Sequence, residues 1–248
     1  MKPKLNLSII TITSNNPDIK RTLESISIQN INPNDFEHII IDNLSTDDTQ
    51  KIVENYIKKA PHKVVYIREK DKGRYNAMNK GIKKASGKYL SFMNAGDQFY
   101  NKTSLATILE KSEDKEIVYG NLNVIDHGKS NIYIPPDTLD FKYFLNSALP
   151  HQASIIKKSL FDKYGFYDEN LQISADHNFF LKTIIKHNCT YKHLNSTIAT
   201  YYFDGISSDP KNQKQINLEK EVELQQDFTN LEFKKIKSTQ KAKFTTPI

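Results

Sequence analysis

Cysteine is almost missing: Cys189 is the only one in 248 residues. An internal disulfide is therefore impossible, and a Cys₄ or Cys/His zinc site is excluded. Cys189 is expected to behave as a small buried apolar side chain. No apolar run reaches the ~18 residues needed to span a bilayer. Met1-Lys2-Pro3-Lys4 passes directly into a strand pattern with no apolar leader, which reads as a cytosolic protein. Glycine-rich phosphate loops are lacking too. Neither Gly-x-Gly-x-x-Gly nor a Gly-x-x-x-x-Gly-Lys-Ser/Thr loop occurs, and the turn after the first strand, Thr13-Ser14-Asn15-Asn16-Pro17, carries neither glycine nor base. That counts against a dinucleotide-dependent oxidoreductase and against a nucleotidyltransferase acting on sugar phosphates.

What is present is a folded-domain composition, 38% hydrophobic and 26% charged. Lys plus Arg number 35 against 29 Asp plus Glu, a net charge of +6. This balance suits an anionic ligand, an acidic membrane surface or nucleic acid. The bases are scattered through the chain and concentrated only in the last residues, with no nucleic-acid-binding motif, so no nucleic-acid partner is expected.

Strand and helix patterns alternate through the first half. Leu5 to Thr13, Phe36 to Ile41, Val64 to Ile67 and Tyr89 to Met93 read as strands. Ile19 to Ile28, a segment from Thr46-Asp47-Asp48 to Ala60, and Tyr75 to Ala85 read as helices. Such βαβ repetition predicts an α/β fold: a mostly parallel, doubly wound sheet with helices on both faces. In the second half, strands are expected at Ile117 to Val124, Gln152 to Ile156 and Thr197 to Phe203. Helices are expected at Asp140 to Asn146, Lys158 to Tyr164, Ser174 to His187 and roughly 213–231. The expected division is a first half at 1–100, a second half at 101–206, and a C-terminal helix with a lysine-rich tail at 207–248. In that tail, Phe233, Ile236 and Phe244 alternate with lysines, which fits either a solvated terminus or a segment lying on an anionic leaflet.

Polar residues collect where the strands end. Asn94-Ala95-Gly96-Asp97 stops the fourth strand, and ligands of open α/β sheets bind outside the carboxyl ends of strands. An acid there, Asp97, is the right group to hold a divalent cation against a diphosphate. Asp42 ends the second strand, where it can accept hydrogen bonds from a ribose or a base, or shape a turn. Gly73 opens a helix beside Lys72 and Arg74, which suits an anion. Asp176, Phe180 and Ile184 fall at i, i+4 and i+8, placing a carboxylate at the rim of an apolar helix face with Ser174 as N-cap. His151 reads either as a contact to phosphate or acceptor or as a structural histidine.

Taken together, these regions resemble the family 2 glycosyltransferases with the GT-A fold, over about residues 5–205. The pieces that carry the likeness are Ser8 to Thr11, Asp42 with Ser45-Thr46-Asp47, Asp71-Lys72-Gly73 through Asn79-Lys80-Gly81, Asn94 to Asp97, His151-Gln152 and Ala175-Asp176. The resemblance implies an inverting transfer of sugar from a nucleotide-diphosphate donor, of UDP type, to a hydroxyl of a glycan or lipid-linked acceptor in bacterial cell-surface polysaccharide assembly. It implies that Thr11, Thr13, Asp42, Asp71, Gly73, Asn79, Asn94 and Gly96 bind the donor, and that Asp97 ligates Mn²⁺ or Mg²⁺. It implies Asp176 as general base, with His151, Gln152 and Tyr202 toward acceptor or phosphate and Gly205 as a hinge. One departure stands out: many relatives carry further acids where this chain has Asn94 and Gly96.

Overall fold

Alternate side chains of each strand leave on opposite faces, and that alternation sorts the core. The computed structural model describes residues 5–203 and 210–227. In β1 (Leu7–Thr13), Leu7 and Ile9 join one apolar cluster and Ile10 joins another. In β2 (Phe36–Asp42), Ile39 and Ile41 leave opposite to Ile40. With β3 (Lys63–Arg68) and β4 (Tyr89–Phe92) they form a parallel run in the order β3-β2-β1-β4.

Helices cover both faces. The nine-residue α1 (Ile19–Ser27) is too short to hold itself together in water, so its stability comes from the face it buries. Ile19, Leu23 and Ile26 lie on that face, each contributing about 1.5–3 kcal/mol. Beside α1 lies α2 (Thr49–Ile57), with Val53 and Tyr56 in the same cluster. On the opposite face, α3 (Arg74–Lys84) buries Tyr75, Met78 and Ile82.

The second half continues the same sheet. Its elements are β5 (Gln98–Phe99), α4 (Ser104–Glu110), β6 (Ile117–Asp126), β7 (Lys129–Tyr133), α5 (Phe141–Asn146), β8 (Ser154–Lys157), α6 (Lys158–Tyr164), α7 (Ala175–Leu181), β9 (Tyr191–Tyr202) and α8 (Gln213–Asp227). The order beyond β4 is β8-β6-β9-β5, with β7 also beside β6. Here β8 is antiparallel to both neighbours, whereas β6 and β9 are parallel. The α/β architecture with helices on both faces thus stands, and its second half is more mixed in strand direction than the βαβ repetition implies.

Several local details differ from the sequence expectation. Residues 151–153 form a 3₁₀ turn rather than the start of a strand, which frees His151 and Gln152 from the ladder. The helix expected at Ser174 to His187 passes at Lys182–Lys186 into a π-helical turn, where the Thr183 hydroxyl bonds back to Phe179 O at 2.7 Å. β5 and β7 carried too little apolar patterning to be read, and α4 was missed although its Leu105, Ile108 and Leu109 fall at helical spacing. β7 is mostly exposed and closes on β6 through His127-Gly128, both at positive φ, a hairpin turn without the usual Asn-Gly signature. Gly205, Ser207 and the 233–248 tail lie outside the described residues.

Candidate active site

β1, β2, β3 and β4 run parallel, so their carboxyl ends open on one edge of the sheet. A cavity of about 590 Å³ lies there, within the range of small-ligand sites. Thr13 and Ser14 come from the end of β1, Asn43 from the end of β2, Asp71 and Gly73 from the turn after β3, and Asn94 to Asp97 from the end of β4. Tyr201 and Tyr202, at the end of β9, close the far side.

The 94–97 turn is held from α1. Thr22 Oγ1 accepts from Gly96 N–H at 3.0 Å and donates to Asp97 O at 2.6 Å, and Asn16 Nδ2 donates to Ala95 O at 3.1 Å. Gly96 sits at φ 102°, which a side chain would strain. Gly73, at φ 133°, begins α3, and its N–H donates to Asp71 Oδ1 at 2.9 Å. Asp97 is 6% exposed and accepts from Gln152 Nε2 at 3.1 Å. Two oxygens of this cavity wall, Thr13 Oγ1 and Asn94 Oδ1, are buried without a hydrogen-bond partner among the described residues. Buried polar atoms are rarely orphaned, and two of them stand on this one wall.

A second cavity, of about 570 Å³, adjoins the first and shares Arg74, Asn94, Gln152 and Tyr201 with it. Asp176 lies on its wall with its side chain 27% exposed. Tyr75 Oη lies 2.7 Å from Asp176 Oδ1, and His151 Nδ1 lies 3.7 Å from Asp176 Oδ2. His151 is buried, stacked on Phe92 at 4.5 Å and bonded through Nε2 to Tyr167 Oη at 2.9 Å. Burial pushes the His151 pKa down, against the opposing pull of Asp176, so the ring beside the carboxylate is neutral near pH 7. A partly exposed carboxylate held by a phenol can take a proton from a hydroxyl entering this second cavity.

Three of the expected donor contacts lie behind the wall instead. Asp42 is 0% exposed, and both of its oxygens are taken: Oδ1 accepts from Ser45 N and Oγ at 2.9 and 2.5 Å, Oδ2 from Tyr66 Oη at 2.6 Å. Its neighbour Asn43 lines the cavity, and Asn43 Oδ1 accepts from Asp71 N–H at 3.0 Å. Thr11 is buried and donates to Met93 O at 2.8 Å. Asn79 clamps the chain before α7: its Nδ2 donates to Tyr167 O and Glu169 Oε1, both at 2.9 Å, and its Oδ1 accepts from Tyr167 N–H at 3.1 Å. Thr13, Asp71, Gly73, Asn94, Gly96, Asp97, Gln152 and Tyr202 do line the first cavity, and His151, Gln152 and Asp176 the second. Sequence reasoning missed Asn43, Arg21 and Tyr75. Arg21 pairs with Asp18 and lies 4.0 Å from the ring centre of Tyr202. An arginine on the first turn of a helix carries no mark that would have singled it out.

Among the described residues, no group of three or more His, Cys, Asp or Glu converges on one point. The described residues therefore offer no closed metal cage. They offer one carboxylate, Asp97, on the same turn as the unpartnered Asn94 Oδ1. Hard oxygen donors in that number fit Mg²⁺ or Mn²⁺ when a diphosphate and water fill the remaining positions.

Comparison with known proteins agrees with this layout. Residues 8–174 match the family described as Glycosyl transferase family 2. A PGL/p-HBAD biosynthesis glycosyltransferase of Mycobacterium bovis is 28% identical over 190 residues, covering 75% of this chain and 72% of that protein. An uncharacterized glycosyltransferase of Mycobacterium tuberculosis is 33% identical over 187 residues, covering 72% and 69%. Among solved structures, S. aureus TarS 1-349 in complex with UDP-GlcNAc has a TM-score of 0.67 at 21% identity, over 83% of this chain and 61% of that one. The mannosyltransferase PcManGT from Pyrobaculum calidifontis, in complex with GDP-Man and Mn²⁺, has a TM-score of 0.62 at 16% identity, over 79% and 56%. The chain thus spans about three fifths of these structural neighbours. A sequence match over most of the chain, joined to a cleft at the strand ends and a carboxylate in the adjoining cavity, places this protein in glycosyltransferase family 2.

Proposed function

We propose that this glycosyltransferase moves a sugar from a nucleotide-diphosphate donor, of UDP type, to a hydroxyl of a glycan or lipid-linked acceptor, with inversion at the anomeric carbon. The observation that carries this reading is the pair of adjoining cavities with Asp97 in one and Asp176 in the other. The nucleotide takes the first cavity, against Thr13, Asn43 and Asp71. Its diphosphate lies toward Asp97, Gly96 and Arg74, the last a wall of both cavities. A divalent cation, when bound, offsets the charge that grows on the departing diphosphate, and Asp97 with Asn94 Oδ1 would hold it.

The acceptor takes the second cavity, with its hydroxyl at Asp176. As its oxygen forms a bond to the anomeric carbon, the bond from that carbon to the diphosphate breaks on the opposite face. Asp176 takes the hydroxyl proton, and the electron pair leaves with the nucleoside diphosphate. A placed general base of this kind is worth ~10²–10⁴-fold in rate. Gln152 spans the two cavities and ties Asp97 to the acceptor side. UDP-GlcNAc, carried by a structural neighbour, is the first donor to try. The Asp176→Asn variant is expected to fold and to bind UDP with unchanged affinity while losing transfer by at least ~10²-fold. Transfer at the wild-type rate in that variant would remove Asp176 from its role.

A further inference from the structure

Glu219, on α8, is 4% exposed and lies outside the stretch that matches the family. It points into the turn that leads to Asp176. Oε1 accepts from Gln172 N–H at 2.9 Å and from the Gln215 side-chain amide at 2.9 Å. Oε2 accepts from the N–H groups of Ile173 and Ser174, each at 3.0 Å, and from the Ser174 hydroxyl at 2.9 Å. One carboxylate therefore satisfies four donors of a single turn. Ser174 stands at the N-cap of α7 but makes no capping bond with its side chain. Its hydroxyl is committed to Glu219 instead.

The turn held in this way carries the second acceptor of Tyr75. Tyr75 Oη lies 2.6 Å from Ile173 O and 2.7 Å from Asp176 Oδ1. Burial, with Asp176 adding to it, drives the Tyr75 pKa far up, so this group stays a phenol with one proton to give. While Asp176 is ionised, that proton goes to its carboxylate. Once Asp176 has taken a proton, its own O–H can donate to Tyr75, and the phenol proton turns to Ile173 O. Two acceptors let Tyr75 hold Asp176 on either side of a proton transfer, and Glu219 fixes where the second acceptor stands.

We propose that Glu219 is a positioning residue for Asp176, and that α8 is thereby part of the active site. This rests on the reading of Asp176 as the base. The test uses the full chain as wild type, Glu219→Gln and Glu219→Ala, followed by amide hydrogen exchange and by the ¹³C-carboxyl NMR signal of Asp176. Exchange at Gln172, Ile173 and Ser174 is expected to accelerate roughly 10–100-fold in either variant, with the amides of β1 and β2 as protected as before. The Asp176 signal is expected to move with it. The Gln variant keeps the volume of Glu219 and replaces one acceptor oxygen with a donor, so the test survives an Ala variant that does not fold. Open amides with an unmoved Asp176 signal would reduce α8 to a brace and overturn the proposal, as would no change in either readout. Retained transfer in Asp176→Asn is a separate failure: it removes the base whatever the Glu219 variants show.

Discussion

Two asparagines show how residues of one type come to do different work. Asn43 stands on the wall of the first cavity, whereas Asn79 ties α3 to Tyr167 and Glu169. Asn79→Ala would leave the buried N–H and C=O of Tyr167 without their partner, a cost of about 1–3 kcal/mol. The denaturation midpoint should fall accordingly while UDP affinity, read by calorimetry, stays within twofold. A marked loss of UDP affinity would return Asn79 to the donor site. Arg74 presents the opposite case. It lines both cavities and has no hydrogen-bond or ion-pair partner among the described residues. A charge-assisted bond to phosphate is worth about 1.5–3 kcal/mol, so Arg74→Ala should weaken UDP binding ~10–100-fold at little cost in stability. Unchanged affinity would place the diphosphate elsewhere. The position of Asp97 was legible in the sequence because a run of apolar residues stops just before its turn, whereas Asp71 was marked only by the family resemblance. Which of Asp42 and Asn43 faces the cavity was not legible, since it depends on Tyr66 and Arg68 reaching across from β3 to claim Asp42.

At the scale of elements, β1, β2 and α2 are joined by a buried polar chain. Thr11 donates to Met93 O, so its oxygen accepts from His38 Nε2–H at 2.8 Å. His38 Nδ1 then accepts from Tyr56 Oη at 2.8 Å, and Tyr56 accepts from His62 Nε2–H at 2.7 Å. This leaves both rings neutral, and His62 Nδ1 is buried without a partner among the described residues. Burial lowers the His62 pKa to about 4, and that of His38 well below its ordinary value, by burial first and the nearby His62 second. The unfolded chain takes up these protons near pH 6.5, whereas the folded chain takes up that of His62 only near pH 4 and that of His38 well below 6.5. Between those values the unfolded state holds more protons, so stability falls as pH drops through that window, by about 3 kcal/mol for His62 alone. The urea midpoint should fall between pH 7 and pH 4.5, and His62→Gln should flatten part of the slope. An equal slope in that variant would contradict the chain as drawn. Strands and helices of the first half were readable because their apolar periods are long. β7 and the π-helical turn were not, because pairing with β6 and a threonine bonded back to its own helix decide them.

Across the whole molecule, one sheet carries both cavities, and β8, antiparallel to β4, brings the second half against the parallel strands of the first. No helix among the described residues is long and apolar enough to cross a membrane. The repetition of strand and helix made the α/β class evident from sequence. The coupling of α8 to Asp176 was not, since Glu219 and Ser174 lie 45 residues apart and meet only in the fold. The most direct test of the account is the melting temperature with UDP, GDP, CMP and ATP, each with and without Mn²⁺. A nucleotide at 100 times its Kd adds about 2.7 kcal/mol, or roughly 5–10 °C for a chain of this size. The account predicts a shift of that order for UDP, larger with Mn²⁺ and lost with Mn²⁺ dependence in Asp97→Ala. Equal shifts for all four nucleotides, or none with UDP under either condition, would contradict a UDP-type donor in the first cavity.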